Sequence, residues 1–397
     1  MMPRRRKLRE MIRMKKSKKK KIVMIGPVYP YKGGIAHYTG CMVKNLKKDF
    51  RVSTVSYKMQ YPKLLFKQEQ RDYDNDIFRI EDTKFLINTA NPFNWVTTAM
   101  KIRRMKPDYI IMQWWHPYFS PCYTGLSMLL RKYPKIFLCH NVFPHERFPM
   151  DKFLTKMVLK RGAAYITHSK TDADDLRKIV KRPRFETTVH PVYNAFKLRN
   201  ITKEQAKAEI DSPPEKKILL FFGFVRDYKG LRHILNAMPE IVRYDKDIEL
   251  WVVGEFRSDK ESYIELIDKL GIGSSVKIVD GYIPDSGIEK YFAAADLVVL
   301  PYESATQSGI VQIAYGFEKP VISTDVGGLP EVVIDGKTGY IVPPFKPEAL
   351  AEAVIRFFRE DKAEEFAENV RGEAYKYSWD RMNEVVQRLI KKTDNNE

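Results

Sequence analysis

Lys21-Ile22-Val23-Met24-Ile25 is a short apolar run that stops at Gly26. Pro27-Val28-Tyr29-Pro30-Tyr31-Lys32-Gly33-Gly34 then leads into Ala36 to Leu46, where apolar residues return at helical spacing. The stretch reads as strand, loop, helix. Outward from it the unit repeats: Arg51 to Ser56, Asp108 to Gln113, Ile136 to His140, Ala164 to Thr167 and Thr187 to His190 are strand-like, with helical stretches such as Leu154 to Lys160 and Thr171 to Val180 between them. A polar segment over 201–217, carrying Pro213-Pro214, precedes a second set at Ile218 to Phe222, Glu249 to Val253, Val276 to Val279, Leu297 to Leu300 and Val321 to Ser323. Alternating strand and helix predicts parallel sheets with both faces covered, an α/β chain of two doubly wound lobes over 21–200 and 201–376. In the closing segment, 377–397, Ser378 stands at an N-cap, and Met382, Val385, Val386, Leu389 and Ile390 share one face. That helix either completes the second lobe or returns to brace the first.

The composition fits this. With 397 residues, 44% of them hydrophobic, the chain has apolar material for two cores at roughly 100–200 residues per domain. Ordinary Gly and Pro counts, 20 and 23, exclude collagen-like and disordered classes. No long uncharged apolar run and no apolar segment after the Lys/Arg-rich start are present, so neither a spanning helix nor a secretory signal is expected, and the expected location is cytoplasmic. Cys41, Cys122 and Cys139 are too few and scattered for a disulfide framework, and no two of the seven histidines stand four apart, so no metal is expected.

Charge is uneven. Residues 1–21 hold 12 Lys/Arg and one acid, 22–200 hold 31 and 14, and 201–397 hold 26 and 35. A basic tail (1–20) and basic first half joined to an acidic second half predict either a solvated face or one that meets an anionic membrane surface. The clusters Arg103-Arg104 and Lys156 with Lys160-Arg161 belong to it, and deleting residues 1–20 is expected to weaken binding to anionic vesicles. The pI of 9.5 also invites nucleic acid, but the acidic second half and the lack of a nucleic-acid module argue against that partner.

Ligands of open parallel sheets bind beyond the carboxyl ends of strands, so three loops matter most. Gly33-Gly34 at a helix start lets backbone amides approach an anion, or marks a plain turn. Phe222 to Gly230 carries Arg226, whose fork suits phosphate oxygens, and Lys229, a compact point charge. Pro301 to Gly309 includes Gln307, with Ser308 and Gly309 at a helix start; Ser308 serves a phosphate or caps the helix.

Together these loops resemble those of the family 4 retaining glycosyltransferases. Gly254, Gly281-Tyr282-Ile283-Pro284, Ala295-Asp296-Leu297-Val298-Val299-Leu300-Pro301, Pro320 to Glu331 with Gly327-Gly328, and Asp335-Gly336-Lys337-Thr338-Gly339 match in order and spacing over most of residues 20–392. The resemblance implies a GT-B fold of two Rossmann-like lobes with a crossover helix at the end. It implies transfer of a sugar from a nucleoside-diphosphate sugar to a saccharide or lipid-linked acceptor, in cell-envelope polysaccharide or glycolipid synthesis, without metal. By the same resemblance the donor lies against Gly33, Gly34, Arg226, Lys229, Tyr282, Ile283, Gln307, Ser308 and Gly309, and His140 and His116 stand beside the acceptor proton. A nucleotide-sugar epimerase or a non-catalytic nucleotide-binding protein of this fold is the alternative. One departure stands out: family members carry two glutamates eight apart in the third loop, where this chain has Ala305 or Thr306 and Ile313, as in a bacterial subgroup; Glu303 and Gln312 are nine apart.

Overall fold

The computed structural model describes residues 19–66, 69–73, 76, 78–144, 147–192, 196–257 and 259–395. Most of the basic tail, and His145, lie outside them. Two sheets organise the chain, and every strand pair in both is parallel. The first contains β1 (Lys21–Ile25), β2 (Arg51–Met59), β3 (Lys84–Asn88), β4 (Tyr109–Trp114), β5 (Lys135–Cys139), β6 (Ala164–Thr167) and β7 (Phe185–Thr187), in the order β3-β2-β1-β4-β5-β6-β7. The second contains β8 (Lys217–Phe222), β9 (Ile248–Gly254), β10 (Val276–Asp280), β11 (Leu297–Leu300), β12 (Val321–Thr324) and β13 (Gly339–Val342), in the order β10-β9-β8-β11-β12-β13.

Strand pleating sorts the core. On β1, Ile22 and Met24 join the apolar cluster beneath helix Gly34–Leu46, whereas Val23 and Ile25 join the cluster beneath helices Pro92–Met105, Ser120–Leu129 and Asp151–Leu159. The cluster containing Ile22 continues through Phe196 to Leu220, Phe292 and Leu300, so one core runs through both lobes.

The terminal helix Trp379–Asp394 braces the first lobe. Ser378 caps it by accepting from the Arg381 N–H at 3.1 Å. Its apolar face is buried in the cluster that holds Tyr38 and Met42, and Asn45 donates to the Trp379 carbonyl at 2.6 Å. At its far end Tyr109 donates to Asp394 at 2.6 Å and Lys392 pairs with Glu186 at 2.6 Å. Among the described residues no helix is long and apolar enough to cross a membrane.

In each sheet the strand order reverses once, between β1 and β4 and between β8 and β11. The loops after β1, β8 and β11 therefore open at the two switch points, the place where such sheets bind ligands.

Candidate functional site

These loops meet across a cleft of about 540 Å³ between the lobes, within the roughly 300–1,000 Å³ of small-molecule sites. Gly33, Gly34 and His37 border it from the first lobe, and Lys229, Tyr282, Ile283 and Gly309 from the second. Gly33 has φ 101° and nothing within 4 Å of where a Cβ would stand, so it bares backbone at the start of helix Gly34–Leu46.

The loop after β8 is drawn tightly against the loop after β11. A Cβ on Gly230, which has φ 65°, would lie 2.0 Å from the Pro301 carbonyl oxygen, so only glycine fits. Glu303 N–H donates to the Tyr228 carbonyl at 2.7 Å and closes the same junction. Between them the Lys229 ammonium sits 5.5 Å from the Tyr302 ring centroid. No carboxylate among the described residues pairs with it, and burial, then the neighbouring Arg226 charge, hold its pKa below the usual lysine value. A half-buried cation without a protein anion is a site that an anion would complete.

The remaining donor candidates are placed differently. Arg226 is exposed beside the short turn Asp227–Lys229 and does not border the cleft. Ser308 accepts from the Ile310 N–H at 3.2 Å, so its hydroxyl caps helix Gly309–Gly316. Gln307 also lies outside the cleft wall, its Oε1 buried with no hydrogen-bond partner among the described residues.

Neither histidine candidate reaches the cleft. His140 is 3% exposed; its Nε2 bonds Gln113 Oε1 at 2.7 Å, and its ring packs with Tyr38, His168 and His190. Burial, with the two neighbouring imidazoles, pushes its pKa well down. His116 caps the turn Pro117–Phe119, accepting the Tyr118 N–H on Nδ1 at 3.1 Å, with its ring stacked on Phe148. Placement at the end of a strand brought both to the correct edge of the sheet, but depth in the packing removes one and a local cap engages the other.

Contacts that sequence reading did not anticipate hold the lobes together. His37 Nε2 meets Asp285 Oδ2 at 2.7 Å across the cleft, its ring stacked on Phe78 at 4.4 Å. Tyr282 donates to Asp72 at 3.2 Å while the Lys32 ammonium lies 4.5 Å over its ring. Glu331 accepts the Lys170 N–H on both oxygens, at 2.9 and 3.1 Å, and Thr306 donates to Asn141. Glu303 turns away to His233 at 2.9 Å, Gln312 is buried, and Ile313 lines the cleft where the family resemblance places a carboxylate. Glu255 and Arg257, paired at 2.8 Å, supply charge to the wall instead.

Comparison with known proteins agrees with this architecture. Residues 202–376, the second lobe, match the family model described as Glycosyl transferases group 1. An alpha-D-kanosaminyltransferase of Streptomyces kanamyceticus is 24% identical over 265 residues, 64% of this chain and 67% of that protein. A D-inositol 3-phosphate glycosyltransferase of Corynebacterium diphtheriae is 30% identical over 163 residues, 40% of this chain and 38% of that protein. The crystal structure of Anabaena HepE in complex with UDP and glucose superposes with a TM-score of 0.71 at 16% identity, covering 94% of this chain and 100% of that one. The fold is that of the GT-B glycosyltransferases, two Rossmann-like lobes facing a cleft.

Proposed function

We propose that this chain is a retaining glycosyltransferase that moves a sugar from a nucleoside-diphosphate sugar to a saccharide or lipid-linked acceptor, in the synthesis of a cell-surface polysaccharide or glycolipid. The observation that carries the reading is the Lys229 ammonium, with no carboxylate partner among the described residues, in the interlobe cleft that the open backbone of Gly33 and the start of helix Gly309–Gly316 also line. A diphosphate there meets a cation and a helix N-terminus at once. The family match of the second lobe and the nucleotide in HepE support the same donor class.

In the proposed reaction the bond from the anomeric carbon to the donor phosphate breaks as the acceptor oxygen attacks from the same face. A phosphate oxygen of the leaving group takes the acceptor proton. Negative charge grows on the departing diphosphate, and Lys229, already held at the cleft wall, stabilises it, with Arg226 joining by a side-chain movement. The backbone of Tyr282 and Ile283 meets the base. No metal takes part in this scheme. His140 is assigned a supporting role, holding Gln113 and the segment that carries Asn141 to the second lobe.

Thermal stabilisation by UDP, GDP, ADP, CMP and NAD tests the donor site. A nucleotide at about 100 times its dissociation constant adds about 2.7 kcal/mol, a rise of several degrees at about 2–4 °C per kcal/mol. The expected result is a shift with one nucleoside diphosphate that disappears when Arg226 and Lys229 are both changed to alanine. No shift with any nucleotide removes the transferase reading. Incubating the matching nucleotide-sugar without acceptor separates the epimerase alternative, which changes the sugar while it is still attached to the nucleotide.

A further inference from the structure

Helices Pro92–Met105, Ser120–Leu129 and Asp151–Leu159 lie side by side over one face of the first sheet. The first two pack so closely that a Cβ on Gly125 would stand 2.6 Å from the Trp95 ring. Their inner surfaces are spent on the core: Thr98, Ala99 and Ile102, then Cys122, Tyr123 and Leu126, then Val158 and Leu159. Their outer surface is apolar as well. Phe93 (84% exposed), Val96 and Met100 recur at i, i+3 and i+7 along the first helix; Met128 stands exposed on the second, and Met150 and Phe153 at the start of the third. One exposed apolar side chain is ordinary, but six on three adjoining helices form a patch that marks an interaction surface.

The charge carried by this stretch of chain is mostly of one sign. Residues 83–160 contain twelve Lys/Arg and three Asp/Glu. Of the acids, Asp108 accepts the Lys21 N–H and Asp151 is bound to Arg147, while Glu146 lies outside the described residues. Arg103 and Arg104 extend the stripe of Phe93, Val96 and Met100; Lys156 and Lys160 extend that of Phe153. A symmetric second copy would set these cations against their own equivalents, and protein interfaces are depleted of lysine. An anionic bilayer takes both features: apolar side chains enter at the boundary of headgroup and acyl chain, and Lys and Arg reach up to lipid phosphate.

We propose that this helical face of the first lobe docks on an anionic lipid bilayer, with Phe93, Val96, Met100, Met128, Met150 and Phe153 as the inserted side chains. Helices Pro92–Met105 and Asp151–Leu159 each follow a strand and begin at the end of the sheet where the cleft opens, so Phe93 and Phe153 stand toward the cleft mouth. Docking therefore brings that mouth to the lipid surface. The docking rests on exposure and charge alone, and the lipid-linked acceptor proposed above is the part of the earlier reading that it deepens.

The test is co-sedimentation of the full chain with vesicles of phosphatidylcholine alone or mixed with equal phosphatidylglycerol, at low and high salt. It is run on the wild type and on a variant combining Phe93→Ser, Met100→Ser, Met128→Ser and Phe153→Ser. The expected result is binding to anionic vesicles that partly survives high salt in the wild type and falls about tenfold or more in the variant, because the basic tail supplies only salt-sensitive attraction. Equal binding by both proteins overturns the proposal, as does a wild type that ignores anionic vesicles. A wild type that ignores them and sediments as a dimer, while the variant is monomeric, assigns the patch to a second copy instead. Nucleotide-induced stabilisation measured on the same two proteins reads the donor site separately: its loss in both would fail the transferase reading and leave docking standing.

Discussion

Lys229→Met is expected to lower kcat/KM by about 10²–10³-fold, the usual cost of removing one group that stabilises transition-state charge, while making the ligand-free protein more stable. The two effects share a cause. Lys229 is half-buried, its ammonium faces the Tyr302 ring and no carboxylate among the described residues pairs with it, so desolvation lowers its pKa. A lysine with a depressed folded pKa binds its proton more tightly when unfolded, so it costs stability at neutral pH, and that cost fades as pH rises toward the unfolded lysine value. Methionine keeps the length and removes the charge. A lysine that served packing or an ion pair would behave oppositely, and its loss would lower the melting temperature. Melting curves without ligand, and initial rates with the nucleotide-sugar identified by thermal shift, read both halves. A variant with unchanged kcat/KM would remove Lys229 from the proposed chemistry.

The reasons this lysine was legible, and other cleft residues were not, lie in how far the relevant contacts run. Lys229 and the Gly33-Gly34 pair sit in loops that directly follow apolar runs, so a strand-loop-helix reading places them at the ligand end of a sheet without tertiary knowledge. His37 and Asp285 are 248 positions apart, and nothing local in either segment announces the 2.7 Å contact between them. Glu255 and Arg257 carry no signal in the sequence, because a cleft wall and an open surface have the same composition. Glu303 stands at the wrong spacing for the family's glutamate pair, and its carboxylate is bonded to His233, on the helix that follows the Lys229 loop.

Strands divide in the same way. β1, β8, β9 and β11 are buried almost throughout, so a continuous apolar run exposes them. β3 and β13 stand at sheet edges and were missed: β3 carries three exposed or half-exposed residues in its first three positions and pairs with β2 through register shifts, and β13 is only four residues long. β7 was expected at Thr187 to His190 and lies at Phe185–Thr187. The apolar signal that misplaced it belongs to Val189 and His190, which face the core beneath the crossover helix instead of pairing with β6. For that helix, the amphipathic face was plain in the sequence, but its partners, Tyr38 and Asn45, are more than 300 residues away.

That buried region carries the second large effect. Stability is expected to fall steeply as pH drops below about 6.5, because His140, His168 and His190 are buried together around Tyr38, their ring centroids 5.0 to 6.2 Å apart. Burial depresses all three, His168 to about 4, where its Nε2 has no hydrogen-bond partner among the described residues. Their folded pKa values lie below the unfolded one, so the unfolded chain takes up protons that the native chain refuses. The stability present above pH 6.5 is lost as pH falls through the folded values. Three such groups give a slope of up to about 4 kcal/mol per pH unit. Asp172, buried nearby and raised to about 6 by desolvation, works in the opposite direction: it gains its proton first in the native state, and below pH 6 it trims the slope to about 3 kcal/mol per unit. Urea unfolding at a series of pH values from 7.5 to about 5 measures this, and the slope is the readout. Replacing His168 by phenylalanine changes the level of stability by an amount set by packing, but it must also flatten the slope, by roughly one third above pH 6 and roughly one half below it, where Asp172 already offsets one of the three imidazole protons. A slope near zero in the wild type, or one that His168→Phe leaves unchanged, would mean that the cluster is already protonated or hydrated at neutral pH. The packing of Trp379 and Met382 on Tyr38 would then tolerate charge at the point where the crossover helix is anchored.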